Sequence, residues 1–308
     1  MAIKVFIDGA AGTTGLQIRD RMAAETQFEV VQLEGEDRKS PEARARALNS
    51  ADFAILCLPD AAAREAVQMI DSDVRVIDAS SAHRTSKEWV YGLPELSAEQ
   101  AEAIRGAKLV SNPGCYPTGA ILLMRPLVDA GILPPSFPAP VVAVSGYSGA
   151  GNSLIKEYED ARASGADIAP LRGYALTMGH KHLPEMQAYS GLASAPNFMP
   201  MVGAYAQGIL LYIPFHASAL ARPASKDDLH AVLSRHYQDS PFISVQPLIE
   251  AGSTEYLRPD ALNNTNKVHL YVLSNADESQ FTLAAVYDNL GKGASGAALQ
   301  NLKLMAGV

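Results

Sequence analysis

The chain has 308 residues, which corresponds to two domains or one large one at about 150 residues per domain. Apolar residues make up 48% and charged residues 19%, a composition that excludes a disordered chain. The 33 acidic residues outnumber the 25 basic ones, and the net charge of −8 argues against general binding to nucleic acids or anionic membranes. Two cysteines cannot form a disulfide framework, and the sequence has no clustered zinc ligands, so we expect no metal.

Short apolar segments alternate with helical segments in the first third of the chain. Strands are predicted over 3–7, 28–33, 53–58, 74–77 and 108–110, and helices over 13–23, 41–48 and 61–70. Apolar strands that alternate with helices are typical of a parallel sheet covered on both faces. The sequence enters the first strand without the pattern of a signal peptide, so we expect a cytoplasmic protein.

The pattern changes after about residue 115. Helices are predicted over 118–128, 153–162 and 294–305, and strands over 141–144, 208–215, 268–274 and 280–287. The later strands alternate apolar and polar residues, as in an antiparallel or mixed sheet. The uncharged stretch from Met186 to Leu220 contains several prolines, and we interpret it as buried strands, with an apolar subunit interface as the alternative. The expected fold class is α/β, with a Rossmann-type parallel-sheet domain followed by an α+β domain with a mixed sheet.

A glycine-rich turn lies between the first predicted strand and the first helix. It contains Gly9, Gly12, Thr13, Thr14 and Gly15, with the spacing GxxGxxG rather than the more usual GxGxxG. Glycines let backbone amides approach a pyrophosphate, and the helix N-terminus adds partial positive charge. This turn therefore predicts dinucleotide binding.

The end of the second strand carries charges of both signs. Glu34 would favour the ribose hydroxyls of NAD, whereas Arg38 and Lys39 would meet the 2′-phosphate of NADP. We favour NADP(H) as the cofactor.

The segment 111–119 follows a parallel strand and opens a helix. Cys115 lies at this helix N-terminus, where the dipole lowers a thiol pKa from about 8.5 and favours a nucleophilic thiolate. Backbone amides there can stabilise an oxyanion, and Asn112 adds a side-chain donor. A packed, unreactive thiol is the alternative, and Cys57, inside an apolar strand, illustrates it.

A nucleophilic cysteine needs a group that moves protons. His180 and His182 face the same side of an extended segment, and Glu185 follows them as a group that could orient an imidazole. The spacing leaves open which histidine acts, and we favour His180.

Two further segments carry groups suited to ligands. The segment 78–84 follows the fourth strand, and we assign Ser80 and Arg84 to an anionic substrate and Ser81 to the cofactor. The glycine-rich segment 145–151 permits close backbone approach, and we assign Gly146 and Gly149 to the cofactor. A plain turn is the alternative for each.

Together these motifs resemble the short form of the N-acetyl-γ-glutamyl-phosphate reductase family, which is related to aspartate-semialdehyde dehydrogenase. The resemblance covers essentially the whole chain. Thr14 stands where longer members often have Tyr, and Lys181 where Arg is common. The motifs that carry it are 9–15, 80–84, 112–118, 146–151, 180–185 and 288–294.

The resemblance implies an NADP(H)-dependent enzyme that forms a homo-oligomer, a dimer or tetramer. It implies a discontinuous nucleotide domain, 1–116 plus 289–308, and a catalytic and oligomerisation domain, 117–288, with Asn289 close to the nicotinamide. The implied reaction links N-acetyl-γ-glutamyl phosphate and NADPH to N-acetyl-L-glutamate 5-semialdehyde, phosphate and NADP⁺, through a thioester on Cys115. The alternatives are another acyl-phosphate reductase, such as one acting on aspartyl phosphate, and a non-catalytic NADP(H)-responsive regulator.

Overall fold

The computed structural model describes residues 2–250 and 252–308. These residues form two compact units, one with the chain up to Gly114 plus Ala294–Val308 and the other with Cys115–Gly293. The boundaries expected from the sequence, after 116 and before 289, lie two and five residues away from these. The first differs because a helix starts at Cys115, and the second because Asn289 is bonded within the second unit.

The first unit alternates strands and helices. Its strands are β1 (Ile3–Asp8), β2 (Phe28–Val31), β3 (Phe53–Leu56), β4 (Arg75–Asp78), β5 (Val90–Tyr91) and β6 (Leu109–Ser111). Its first helices are α1 (Thr13–Met22), α2 (Pro41–Ser50), α3 (Asp60–Gln68) and α4 (Ala98–Gly106).

The strands of this unit form one parallel sheet in the order β2-β1-β3-β4-β6-β5. The prediction of a Rossmann-type parallel sheet is therefore confirmed. Because β2 and β3 lie on opposite sides of β1, the order in which strands are added to the sheet reverses at β1. Ligands of such sheets bind beyond the carboxyl ends of the strands at this reversal, where the glycine-rich turn follows β1.

Alternation along β1 covers both faces of the sheet. Val5 packs in one apolar cluster with Ile18 of α1 and Ile104 of α4. Phe6 packs in a second cluster with Leu48 of α2. Side chains of β1, β2, β3, β4 and β6 contribute to both clusters, so apolar residues lie on both faces of these strands, as the sequence pattern indicated.

The second unit contains the remaining strands and helices up to Gly293. Its helices are α5 (Cys115–Asp129), α6 (Asn152–Ser164), α7 (Leu183–Ser190) and α8 (Lys226–Tyr237). Its strands are β7 (Pro140–Gly146), β8 (Leu171–Gly173), β9 (Asn197–Gly203), β10 (Ile209–His216), β11 (Ile243–Val245), β12 (Val268–Ser274) and β13 (Gln280–Tyr287).

These strands form a mixed sheet in the order β11-β12-β13-β10-β7-β9-β8. The pairs β11–β12 and β7–β9 are parallel and the other pairs are antiparallel, so the predicted mixed sheet is confirmed. Along β10 the residues alternate between buried and more exposed positions, and α5 packs against β10 and β13. The helix that begins with Cys115 thus lies on the sheet of its own unit.

The chain then returns to the first unit through α9 (Gly296–Ala306), which packs with α1 and α4. Ala298, Leu302 and Met305 of α9 are buried in the same apolar cluster as Val5 of β1. Alanine and leucine at helical spacing explain this packing, since they form one continuous apolar face.

Candidate active site

Cys115 is the first residue of α5, and three residues separate it from the end of β6. The helix begins three residues earlier than the sequence predicted. Pro117 fits this first turn because a helix N-terminus does not use the N–H that proline lacks. Leu122 and Leu123 are fully buried farther along α5, so the core holds the helix and presents the cysteine at its positive end.

The two predicted histidines lie in a tight turn that leads into α7. The expected extended segment is wrong, because Leu183 N–H donates to the carbonyl of His180 at 3.0 Å and His182 has helical backbone angles. His182 N–H donates to Nδ1 of His180 at 3.1 Å, and the ring centroids are 4.6 Å apart. The imidazoles therefore lie together, although by a turn rather than by alternation.

An aromatic cluster, formed by Tyr116, Tyr174 and Phe198, surrounds the two histidines. The ring of His180 lies 5.1 Å from Phe198 and 5.7 Å from Tyr174, measured between centroids. The ring of Tyr116 lies 6.4 Å from His180 and 6.1 Å from His182. Because Tyr116 directly follows Cys115, this cluster connects the candidate nucleophile to the proposed proton-transfer groups. Sequence reasoning missed it, since its residues come from three separate segments.

Burial and the charge of Cys115 both affect the pKa values of the tyrosines in this cluster. Burial raises the pKa of Tyr174 to about 12, and the charge of a Cys115 thiolate acts in the same direction. Burial also raises the pKa of Tyr116, with smaller contributions from Tyr174 and Cys115. Both phenols therefore stay neutral near pH 7, and the histidines remain the candidates for proton exchange in this cluster.

Glu185 lies in the first turn of α7 and is almost completely buried. Burial, followed by the negative charge of Glu185, raises the pKa of Tyr189 to about 12. That Glu185 orients an imidazole stays a prediction.

The predicted glycine-rich segment 145–151 contains the end of β7 and a short 3₁₀ turn, Tyr147–Ala150. Asn289 holds it, since its Nδ2 donates to Ser148 Oγ at 2.9 Å and its Oδ1 accepts from Gly208 N–H at 2.7 Å. A Cβ on Gly146 would collide with backbone atoms, and one on Gly149 would lie 3.2 Å from Asn289 Nδ2. The structure thus brings together the predicted residues Gly146, Gly149 and Asn289.

The turn after β1 has the features that a pyrophosphate requires. Gly9 has a φ of 85°, and a Cβ there would collide with the carbonyl of Cys57. Helix α1 begins at Thr13, and its N-cap Gly12 makes no side-chain capping bond. The N–H groups of the first turn, which includes Thr14 and Gly15, therefore have no side-chain cap competing with an anion, and these residues fit a dinucleotide.

The charged residues after β2 are exposed. Gly35–Arg38 forms a 3₁₀ turn, with Glu34 before it and Lys39 after it. Strands β1 and β2 are adjacent and parallel. This turn and the glycine-rich turn therefore follow neighbouring strands at the same carboxyl edge of the sheet.

The serines after β4 bind neighbouring carboxylates. Ser80 Oγ donates to Asp78 at 2.7 Å, and Ser81 Oγ donates to Asp60 at 2.8 Å. Arg84 is buried, and its guanidinium donates to the carbonyls of Asn112 and Ala79. These bonds fix the two strand ends relative to each other.

The amide of Asn112 connects the end of β6 to the returning C-terminal segment. Its Nδ2 donates to the carbonyl of Ala294 at 3.0 Å, and its Oδ1 accepts from Asn301 at 3.2 Å. Asn112 therefore has a structural role that the sequence did not suggest. The role of Asn112 as an oxyanion donor stays a prediction.

Cys57 follows β3 and differs from Cys115 in its surroundings. Burial raises the pKa of the Cys57 thiol to about 12, and the carboxylates of Asp78 and Asp8 contribute in the same direction. The interpretation of Cys57 as an unreactive thiol therefore agrees with its environment.

Comparisons with known proteins agree with this division of the chain. Residues 4–104 match the family model described as semialdehyde dehydrogenase, NAD binding domain, and residues 115–289 match the one described as semialdehyde dehydrogenase, dimerisation domain. A protein named N-acetyl-gamma-glutamyl-phosphate reductase from Burkholderia orbicola is 53% identical over 304 residues, covering 98% of this chain and 97% of its own length. The chain belongs to the N-acetyl-γ-glutamyl-phosphate reductase family.

A second relative and a solved structure are also similar to this chain. N-acetyl-gamma-glutamyl-phosphate reductase 2 from Pseudomonas putida is 52% identical and covers 98% of this chain and 96% of its own. The crystal structure of aspartate semialdehyde dehydrogenase II from Vibrio cholerae in complex with ASA matches with a TM-score of 0.73 and 16% identity, over 99% and 98% of the two chains. The reductase family thus shares its fold with aspartate-semialdehyde dehydrogenases, and its NAD binding domain accounts for a nicotinamide cofactor. Within the described residues, none of the helices has the length and hydrophobicity that crossing a bilayer requires.

Proposed function

We propose that this chain catalyses the NADPH-dependent reduction of N-acetyl-γ-glutamyl phosphate to N-acetyl-L-glutamate 5-semialdehyde and phosphate. The observation that carries the proposal is the start of α5, where Cys115 and the two imidazoles meet one aromatic cluster. Membership of the reductase family supports the choice of substrate.

In the first step, the Cys115 thiolate attacks the carbonyl carbon of the acyl phosphate. A C–S bond forms, the bond from that carbon to the phosphate oxygen breaks, and phosphate leaves with the electron pair. The backbone N–H groups at the helix start stabilise the oxyanion that forms on the way. The product on the enzyme is a thioester, and covalent catalysis has divided one difficult step into two easier ones.

When bound, NADPH supplies the hydride that reduces the thioester carbonyl. The C–S bond then breaks, the aldehyde forms and Cys115 leaves as a thiolate, ready for another cycle. The net reaction consumes one proton, which ends on the departing phosphate, and we assign its transfer to His180, with His182 as the alternative.

The residues proposed to bind the cofactor and the substrate phosphate come from both units. Gly9, Gly12, Thr13, Thr14 and Gly15 would hold the pyrophosphate at the N-terminus of α1. The cations after β2 would meet the 2′-phosphate of NADP, and Ser80 and Arg84 would bind the substrate phosphate. The cations after β2 are Arg38 and Lys39, and the remaining assignments to the cofactor are Ser81, Gly146, Gly149 and Asn289.

We also propose a cytoplasmic homo-oligomer. The match of residues 115–289 to a model described as a dimerisation domain supports self-association of the second unit. Size-exclusion chromatography with light scattering tests this, since a monomer at micromolar concentration would contradict it.

The function is tested by the initial rate of NADPH formation with N-acetyl-L-glutamate 5-semialdehyde, phosphate and NADP⁺. The same assay with aspartate semialdehyde separates the proposal from the related reductase, because only the acyl chain differs. We expect turnover with the acetylated substrate and little with aspartate semialdehyde. The opposite preference, or no turnover with either, would overturn the assignment.

A further inference from the structure

Tyr287, the last residue of β13, occupies an unusual place in the first turn of α5. Its hydroxyl donates to the carbonyl oxygen of Cys115 at 2.7 Å and accepts from the N–H of Gly119 at 3.2 Å. In a regular α-helix these two backbone groups, four residues apart, bond to each other. The first turn of the helix that carries the cysteine is therefore bridged by a side chain from the sheet.

The absence of a side chain at Gly119 makes room for this bridge. A Cβ at Gly119 would lie 2.7 Å from the Tyr287 oxygen and 2.6 Å from Cε1 of its ring. Glycine is a poor helix former, and its presence inside a buried helix usually has a packing reason. Here that reason is the close approach of the phenol.

The sheet fixes the position of Tyr287, and burial keeps its hydroxyl protonated. Its backbone pairs with Ile209 of β10 and Val268 of β12, so the strand is held on both sides. The side chain is fully buried. Burial, together with the charge of a Cys115 thiolate, raises the pKa of Tyr287 well above its usual value. The hydroxyl therefore keeps its proton and acts as a permanent donor.

We propose that Tyr287 is a positioning residue for Cys115, whose hydroxyl holds the first peptide group of α5 in the orientation that keeps the thiol reactive. The proposal deepens the proposed function, since it rests on Cys115 as the nucleophile. A hydrogen bond to the Cys115 carbonyl polarises the peptide group that joins it to Tyr116 and strengthens the partial positive charge of its N–H. In a helix that N–H points toward the N-terminus, where the sulfur lies.

Other titratable groups around Cys115 come from every neighbouring segment. Helix α5 contributes Tyr116, and the segment after β8 contributes Tyr174. His180 and His182 lie beside Tyr116, and Glu185 follows them on α7. Asp288 and Lys292 belong to the segment after β13, which reaches Cys115 at Gly293. All of them are unchanged when only the Tyr287 hydroxyl is removed, so a comparison of variants isolates this one oxygen.

The test is the rate of alkylation of Cys115 by iodoacetamide as a function of pH, in the full chain carrying Cys57→Ser. The variant is Tyr287→Phe, which keeps the ring and removes the bridging oxygen. The matched control is Tyr237→Phe, because the buried Tyr237 hydroxyl donates to the carbonyl of Leu122 in the same helix at 2.7 Å. Each variant loses the bonding of one tyrosine hydroxyl to α5, but only Tyr287→Phe loses it at the cysteine.

We expect Tyr287→Phe to slow alkylation at pH 7 by about fivefold and to move the midpoint of the pH profile upward, with the same plateau rate at high pH. Tyr237→Phe should leave the midpoint at its original value. Equal midpoints in the two variants, or a slower rate at every pH without a shift, would assign Tyr287 a structural role only.

Gly119→Ala provides an independent second variant, because its Cβ pushes the phenol away while the hydroxyl is still present. It should raise the midpoint as Tyr287→Phe does, and an unchanged midpoint in a folded Gly119→Ala protein overturns the proposal even if Tyr287→Phe does not fold. Circular dichroism reports folding in each case. Since alkylation needs neither substrate nor cofactor, this result is independent of whether the proposed reductase reaction is observed.

Discussion

The backbone N–H of His182 donates a hydrogen bond to Nδ1 of His180. An acceptor nitrogen carries no hydrogen, so a neutral His180 in this turn has its proton on Nε2. The turn therefore selects one tautomer of the neutral imidazole, and proton transfer by His180 stays a proposal.

His180→Asn should lower kcat for N-acetyl-L-glutamate 5-semialdehyde oxidation by about 10² to 10⁴, the usual contribution of a positioned acid or base. Asparagine retains an acceptor in the turn but cannot exchange a proton near neutral pH. His230→Asn is a control outside this cluster, since His230 lies on α8 and bonds to the carbonyl of Gln246. If His182→Asn loses activity and His180→Asn does not, the assignment passes to His182.

Cys115→Ser should abolish turnover, with a fall in kcat of about a thousandfold or more, and retain NADPH binding. A serine hydroxyl is not ionised at neutral pH and cannot replace a thiolate. Initial rates measure the first effect, and titration of NADPH fluorescence measures the second. Cys57→Ser is the matched control and should keep activity near that of the unmodified chain. Near-normal rates in Cys115→Ser would remove the thioester from the mechanism.

The two thiols should respond differently to pH. Because burial raises the pKa of Cys57 to about 12, that thiol stays almost entirely protonated near neutral pH. At pH 8 iodoacetamide should therefore add one label per folded chain, at Cys115, and two labels in urea. Mass spectrometry counts and locates the labels. Rapid labelling of Cys57 in the folded chain at pH 8 would contradict the environment described for it.

Asn289→Ala should lower the free energy of unfolding by about 1–3 kcal/mol, because it leaves the buried Gly208 N–H without its acceptor. Ser148→Ala removes only the second bond of Asn289 and should cost about 1 kcal/mol or less. Urea denaturation measures both. Equal losses in the two variants would show that the Gly208 bond contributes no stability of its own.

Arg38→Ser combined with Lys39→Ser should raise the KM for NADPH about tenfold or more and leave the KM for NADH nearly unchanged. The 2′-phosphate is the group that distinguishes the two cofactors, and exposed cations recognise it. The NADH measurement on the same protein is the internal control. An equal rise in both KM values would indicate a general loss of binding rather than lost phosphate recognition.

Much of the architecture was predictable from local patterns. The strands β12 and β13 have the predicted bounds, and β1 differs by one residue. Their apolar periodicity is strong enough to identify them without tertiary information. The short strands β5 and β11 were not predicted, since two or three residues carry no periodicity. Helix α4 was missed as well, because its charged and alanine-rich sequence buries only Ile104.

Local patterns also identified the candidate catalytic residues, but not how the backbone arranges them. They identified Cys115 and the pair of histidines, since a thiol beside a proline-containing helix start and two nearby imidazoles are visible in the sequence. They assigned the wrong backbone to the histidines, because nothing in the sequence shows that Leu183 closes a turn on His180.

By itself, the sequence determined the two fold types and pointed to the glycine-rich turn as a candidate dinucleotide site and to Cys115 as a candidate nucleophile, because each depends on residues close together in the chain. Only the tertiary structure decided that Tyr174 and Phe198 surround the histidines, and that Tyr287 enters the first turn of a helix that starts 172 residues earlier. These contacts join segments whose patterns are independent of one another. Their proximity follows from strand order and packing in the second unit, which local periodicity does not encode.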